Sequence, residues 1–319
     1  MQTHQRIILA GGSGFLGTQL AQHFSALGWE VVVLTRAPRG SQGAFRECGW
    51  DGRTVGPWAA ELEGATAVIN LTGRSVDCRY TAKNRREILN SRVDSTRVIG
   101  EAIARCAKPP RVWLNSSTAT LYRHTFGPAW DETSMDFTAT PEAQDAFSVE
   151  VGLAWERAFK DARTPLTRKV TLRITMVLGF GSNSVFPVLR RLARLGLGGA
   201  MGSGRQYVSW IHEADFCRAV EWLIARDDLS GPVNLAAPNP LTNAEMMRLY
   251  REVCGAPLGV GLPATEWMLE VGAFFLRTET ELILKSRRVV SRRLAESGFE
   301  FHFTQLADSL RDLERRLAR

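Results

Sequence analysis

The stretch "ILAGGSGFLGTQLAQHF", residues 8–24, decides how the rest of the chain is read. It joins an apolar run, "RIILA" at 6–10, to a helical pattern through a turn that holds Gly11, Gly14 and Gly17. In that setting each glycine has its own task. The first permits the tight turn, the second lets the backbone approach a pyrophosphate, and the third lets the helix pack closely on the strand. The start of the helix adds free N–H groups and positive potential for the anion. The loop therefore predicts a dinucleotide site; a plain turn built from three glycines is the alternative.

The end of the next apolar run, "VVVLTRAPRG" at 31–40, refines that reading. An NAD site usually has an acidic residue there for the ribose hydroxyls, whereas an arginine pairs with a 2′-phosphate. Thr35 and Arg36 hold the place and no acid is near. The expected cofactor is NADP(H), with Arg36 as its phosphate partner; Arg36 as an ordinary surface residue is the alternative.

Working outward, runs rich in Val, Ile and Leu alternate with helix-period segments as far as about residue 176. Strands are expected at 6–10, 30–35, 44–50, 66–71, 111–117 and 168–175, and helices at 14–28, 80–107 and 143–163. This alternation predicts an α/β fold, a Rossmann-type doubly wound parallel sheet with right-handed crossovers. Beyond residue 178 the pattern turns to a basic helix, glycine turns and short capped helices, which predicts a smaller, mostly helical C-terminal substrate region. The expected division is 1–178 for dinucleotide binding, with 206–238 returning to it, and 179–205 plus 239–319 for the substrate.

Composition narrows the class. The 319 residues, 45% hydrophobic and 23% charged, suit a soluble globular protein. The net charge of +7 comes from arginines in short clusters such as "KNRRE" and "RDLERRLAR" that acidic residues interrupt, so solvated helix faces explain it better than nucleic-acid binding. The five scattered cysteines show no metal or disulfide spacing, and no metal site is expected. "WMLEVGAFFL" at 267–276 is too short to span a bilayer and is expected as a buried helix. With no signal-peptide pattern, a cytoplasmic location is expected.

The glycine loop, "NLTG" at 70–73 and "SSTATLY" at 116–122 together resemble the extended branch of the short-chain dehydrogenase/reductase superfamily. "SRVDSTRVIGEAI", "GLGGAMGSGRQYVSWIHEADF", "VNLAAPNPLTNAE" and "LKSRRVVSRRLAESGFEF" narrow the resemblance to a sugar-nucleotide-epimerase-like group, of NAD-dependent epimerase/dehydratase type, with its own C-terminal domain. The resemblance implies a cofactor site of Gly11, Gly14, Phe15, Leu16, Gly17, Thr35, Arg36, Leu71, Thr72, Gly73, Thr175, Met176 and Val177. It also implies that Thr118 hydrogen-bonds a substrate oxygen and that Arg205, Gln206, Trp210 and His212 build the substrate side. A homodimer through the helices at 80–107 and 143–163 is a further implication. Structural readings stand beside these: Trp155 and Trp210 as core residues, Asp215 as a cap, and His212 as a structural histidine.

"FSVEVGLAWE" at 147–156 departs from the superfamily. A tyrosine with a lysine four residues later usually moves the proton there, because residues i and i+4 share a helix face and the ammonium lowers the phenol pKa. Phe147 and Val151 stand in those places and can do neither. Glu150, Tyr122 and Thr118 are the candidate replacements; a solvated or salt-bridged helix residue is the other reading of Glu150. Two functions follow: an NADP(H)-dependent oxidoreductase or epimerase acting on a small, sugar-like or anionic substrate, or a non-catalytic NADP(H)-binding regulator or scaffold.

Overall fold

The computed structural model describes residues 5–39, 41–42, 45–181, 184–265, 268 and 281–318. Most of the expected buried helix at 267–276 lies outside them.

Strands β1 (Arg6–Ala10), β2 (Glu30–Thr35), β3 (Ser41–Gln42), β4 (Phe45–Gly49), β5 (Ala67–Asn70), β6 (Val112–Thr118), β7 (Arg168–Ile174) and, further along, β11 (Gly231–Leu235) form one sheet in the order β11-β7-β6-β5-β1-β2-β4-β3. All its pairings are parallel except that of the two-residue edge strand β3. The doubly wound sheet expected from the alternation is thus found, and its core explains why the strands read as unbroken apolar runs. In β1, Ile7 and Leu9 face α1 (Phe15–Ala26) and α5 (Glu213–Ala225), while Ile8 and Ala10 face α2 (Ala82–Ala104) and α3 (Ala146–Asp161). Successive side chains alternate between two covered faces, so each position must be apolar.

A third core lies beyond the sheet. It gathers α4 (Val185–Arg194), α6 (Asn243–Cys254) and α9 (Leu306–Leu317) around Trp210 and Tyr250. Short pairs frame this region: β8 (Met176–Leu178) runs parallel to β10 (Trp210–His212), and β9 (Tyr207–Val208) antiparallel to β12 (Leu241–Thr242). Helix α6 starts on a capping box between Thr242 and Glu245 and stops at Gly255, whose φ of 80° lies in the left-handed region.

The last segment turns back on the sheet through α7 (Glu281–Leu284) and α8 (Arg292–Glu296). Trp130 N–H donates to Arg288 O at 2.8 Å, and Val290 N–H returns a bond to Trp130 O at 2.9 Å. The Glu132 carboxylate accepts from the N–H of Asn234 at 2.8 Å, from that of Arg292 at 3.0 Å, and from Ser291 Oγ at 3.2 Å. These bonds bring residues 281–293 against the loop that follows β6. Among the described residues, no helix is long and apolar enough to cross a membrane.

Candidate functional site

A cavity of about 500 Å³ opens at the carboxyl ends of β1, β5, β6 and β7, where open α/β sheets bind their ligands. Its first wall is backbone. Gly11, at φ 72°, turns so close to Thr72 that a Cβ would meet Thr72 Oγ1 at 2.8 Å. A Cβ on Gly17 would fall 2.3 Å from Gly12 Cα, so only glycine lets α1 begin there. Gly14 differs: its Cβ would find nothing nearer than Gly11 O at 4.0 Å. The space beside Gly14 is free on the cavity side, which is what a pyrophosphate needs. Helix α1 has no side-chain cap and no acidic residue in its first turn, so its first N–H groups face the cavity without an internal competitor. The residues present therefore fit a dinucleotide.

A buried amide network sets the neighbouring edge. Asn70 Nδ2 donates to Asn115 Oδ1 at 2.8 Å and to Thr96 Oγ1 at 3.1 Å, and Asn70 Oδ1 accepts the N–H of Thr72 at 3.1 Å. This ties β5, β6 and α2 together and fixes Leu71, Thr72 and Gly73 at the rim. Gly11, Gly14, Phe15, Leu16, Gly17, Leu71, Gly73, Thr175 and Val177 all line the cavity. Thr72 stands behind Gly11, its buried hydroxyl without a hydrogen-bond partner. Met176 is next to the lining residues but is not one of them. Thr35 lies 3.5 Å from Ser13 Oγ at the loop, and Arg36 beside it is exposed.

The opposite wall is made of side chains. Phe147, Ser148, Val151 and Trp155 of α3 line it together with Ile88 and Arg92 of α2, and Thr118 and Thr120 after β6 complete it. Phe147 packs edge-on to Tyr80 at 5.0 Å with the Arg85 guanidinium over its ring at 4.6 Å, and Ile88 and Val151 complete an apolar cluster. The tyrosine-lysine positions are thus an apolar surface.

The replacement donors are placed unequally. Thr118 lines the cavity and accepts the N–H of Thr120 at 3.1 Å. Glu150 is exposed and points elsewhere. At about 100° per residue, the face formed by Phe147, Ser148, Val151 and Trp155 is centred about 115° from Glu150, so a step of three residues carries it past the wall. Tyr122 is buried behind the strand end: its hydroxyl donates to Asn234 Oδ1 at 3.0 Å and accepts from Arg173 Nη1 at 2.9 Å. Arg173 in turn grips Glu156 through two bonds of 2.9 Å. Burial pushes the Tyr122 phenol above its ordinary range. Neither Glu150 nor Tyr122 reaches the cavity.

The four residues expected on the substrate side are also elsewhere. Arg205 is exposed, near the Phe126 ring at 5.8 Å. Gln206 is buried and donates to Met201 O at 2.7 Å, and Trp210 sits in the third core with its indole N–H on Asn239 O at 3.2 Å. His212 caps α5, its Nδ1 accepting the N–H of Ala214 at 3.1 Å, and stacks on Phe303 at 3.9 Å. Burial pulls its pKa down to about 4, against the partial compensation of Asp312 and Asp215. Polar residues in a glycine-rich stretch read as a ligand pocket in the sequence; in the fold they brace turns.

Sequence reasoning missed Arg92. Its guanidinium lies over Trp155 at 5.1 Å and donates through Nη1 to Arg74 O and Ile88 O, each at 3.0 Å. Among the described residues it has no carboxylate within ion-pair distance, whereas neighbouring Arg74 pairs with Glu87. Burial pulls its pKa down to about 10. The signal was present, since Arg92 interrupts the buried stripe Ile88, Thr96, Ile99 and Ile103 on α2.

The comparisons with known proteins agree with this geometry. Residues 7–236 match the NAD dependent epimerase/dehydratase family, and residues 264–313 a domain of unknown function, DUF1731. The epimerase family protein SDR39U1 of Bos taurus is 32% identical over 97% of this chain and 99% of its own length. YfhF of Bacillus subtilis, also an epimerase family protein, is 28% identical over 96% of this chain and 97% of its own. The crystal structure of human SDR39U1 (isoform 2) with NADPH superposes with a TM-score of 0.84, at 28% identity over 98% of this chain and 99% of the other. A glycine loop built around an open Gly14, a doubly wound sheet and near full-length matches lead to one conclusion: the chain belongs to the NAD dependent epimerase/dehydratase family, in its branch with a DUF1731 C-terminal domain.

Proposed function

We propose that this protein is an NADP(H)-dependent oxidoreductase or epimerase acting on a small anionic, sugar-like substrate. The observation that carries the reading is Arg92: a guanidinium without a carboxylate partner among the described residues shares one cavity with the glycine loop. A partly desolvated cation without a counter-charge costs free energy that an anionic ligand would relieve. NADP(H), when bound, supplies or takes up a hydride at its nicotinamide.

In this reading the α1 N–H groups and the space at Gly14 hold the pyrophosphate, and Arg36 takes the 2′-phosphate. The crystal structure of human SDR39U1 with NADPH supports that choice of cofactor. Thr175 and Val177 edge the nicotinamide, Thr118 orients the substrate oxygen, and Arg92 takes its anionic group. Residues 1–178, with 206–238 returning to them, form the cofactor unit, and 179–205 with 239–319 close over the substrate. The unpaired cysteines suit a reducing compartment, and the reading puts the protein in the cytoplasm.

The test follows deuterium from NADPH deuterated at both C4 positions into a metabolite extract, by mass spectrometry with a no-protein control. A protein-dependent deuterated anion is expected. Arg92→Met should lower that transfer by at least about 30-fold, the order of one charge-assisted hydrogen-bonded contact, while NADPH affinity stays within threefold. Thr118→Val should lower it with the same retention of nucleotide binding. Apolar packing at Phe147 and Val151 favours the second reading, a non-catalytic NADP(H)-dependent regulator, and transfer to no metabolite by a chain that binds NADPH would establish that instead.

A further inference from the structure

Behind the side-chain wall lies a group of buried charges. Asp145, at the start of α3, accepts the N–H of Thr140 at 2.8 Å, and its other carboxylate oxygen lies 2.6 Å from Lys285 Nζ. Lys285 is wholly buried and donates to Thr120 O at 2.5 Å, and Arg287 Nε donates to Thr120 Oγ1 at 3.2 Å. Glu281 is only 5% exposed. Its Oε2 accepts the Ser148 hydroxyl at 2.7 Å, while its Oε1 is buried with no hydrogen-bond partner among the described residues. Ser148 lines the cavity; Glu281 stands behind it.

This arrangement has the parts that Phe147 and Val151 lack. Ser148 is one residue beyond the expected tyrosine and on the cavity face, and its oxygen can both give and receive a proton. A hydroxyl alone is a poor acid or base, and needs a partner that exchanges protons with it. The burial of Oε1 of Glu281 disfavours the carboxylate, because an ionised oxygen taken out of solvent bears a desolvation cost. Burial accordingly raises the proton affinity of Glu281, opposed by the charges of Arg287 and Lys285 and by the Ser148 bond and reinforced by Asp145.

We propose that Ser148 and Glu281 form the proton relay of this site, with Ser148 touching the substrate and Glu281 acting through it. The relay rests on the hydride-transfer reading above. In the oxidising direction the substrate hydroxyl proton passes to Ser148 Oγ as the Ser148 proton passes to Glu281 Oε2. The substrate carbon gives its hydride to the nicotinamide, and a carbonyl is left. Two electrons and two hydrogens leave the substrate, one as hydride and one as proton. Reduction follows the reverse path, with Glu281 protonating Ser148 and Ser148 protonating the new hydroxyl. Helix α7, outside the dinucleotide fold, thereby supplies half of the acid-base pair.

The experiment uses the full-length chain and its Ser148→Ala, Ser148→Thr and Glu281→Gln variants. Deuterium transfer from labelled NADPH should fall by about 100-fold or more in S148A and E281Q, in keeping with the usual weight of general acid-base assistance. S148T, which restores a hydroxyl, should stay within about tenfold of the parent on the same scale. The NADPH dissociation constant should be unchanged in all three. A second readout needs no substrate: infrared difference spectra against pH should show a carboxyl titrating above the ordinary glutamate range. The Glu281 component should be lost in E281Q, where that of Glu213, a carboxyl that burial shifts the same way, remains. The midpoint of the Glu281 component should rise in S148A, because the ionised form loses a donor. Parent chain that transfers deuterium while S148A transfers as well overturns the relay and leaves the hydride reading standing. Parent chain that binds NADPH and transfers nothing overturns both. A carboxyl signal unchanged in E281Q overturns the relay whatever the transfer assay shows.

Discussion

The two walls of the cavity are built on opposite plans. The glycine wall comes from eight consecutive residues, 10–17, and acts through backbone groups and through the absence of side chains. The facing wall draws on α2, α3, the segment after β6 and, behind them, residues 281–287, and is made of side chains, Arg92, Ser148 and Thr118 with their partners. A backbone wall recognises what all dinucleotides share. A side-chain wall distinguishes one substrate from another, and it can lose a tyrosine and a lysine without the fold changing.

The largest expected effect breaks the second wall at its support. Lys285→Met leaves Asp145 charged and buried, which typically costs about 3–5 kcal/mol and should lower the melting temperature by on the order of 10 °C. Adding Asp145→Asn should recover most of the loss; equal melting of the single and double variants would show that the pair carries no such charge. Next is a residue outside both walls. His212 has its pKa lowered to about 4, so the native chain binds fewer protons than the unfolded one between about pH 6.5 and that value. Its contribution is complete above pH 6.5 and is lost as pH falls towards 4, by about 3 kcal/mol in all. His212→Asn keeps a capping oxygen and should flatten denaturant stability measured across that window. An unaltered slope would place the acid sensitivity elsewhere.

The glycine wall can be sharpened by two alanines. Gly17→Ala forces a methyl into Gly12 and should cost about 1–3 kcal/mol in stability. Gly14→Ala should melt with the parent and yet bind NADPH at least about tenfold more weakly, as expected when a methyl displaces a pyrophosphate from helix N–H groups. Calorimetry separates the two, and a Gly14→Ala chain with undiminished affinity would mean that the nucleotide does not approach there. The smallest effect is at the exposed end: Arg36→Ala should reduce the preference for NADPH over NADH by about tenfold, near the 1.5 kcal/mol of one charge-assisted bond.

Legibility in the sequence followed the same divide. The parallel sheet and the glycine loop could be read because they depend on local periodicity and on residues a few positions apart. Even Arg92 left a trace, as a charge on an apolar helical stripe. Ser148 and Glu281 left none, since 133 positions separate them and only the return of the C-terminal segment joins them. The misplacement of Arg205, Gln206, Trp210 and His212 has the mirror-image cause. The side chains of Gln206, Trp210 and His212 are held by Met201, Asn239 and Ala214, all within thirty or so positions, and Arg205 is exposed beside the Phe126 ring. A single helical step separates exposed Glu150 from the side-chain wall.

The way the C-terminal segment is fastened also governs how this protein can be recombined. Besides Glu132 and Asp145, Asp215 accepts the N–H groups of His302 and Phe303 at 2.9 and 2.8 Å, so three carboxylates of the sheet unit hold main chain or ammonium of the last forty residues. A chimera that joins the first 236 residues of one relative to the tail of another must keep these acids matched to the donors they receive. A tail without a cation at position 285 would leave buried Asp145 with only the Thr140 N–H, and one that does not bring its backbone N–H groups to Glu132 and Asp215 would leave each short of donors, so the boundary between the two family matches is a poor place to cut.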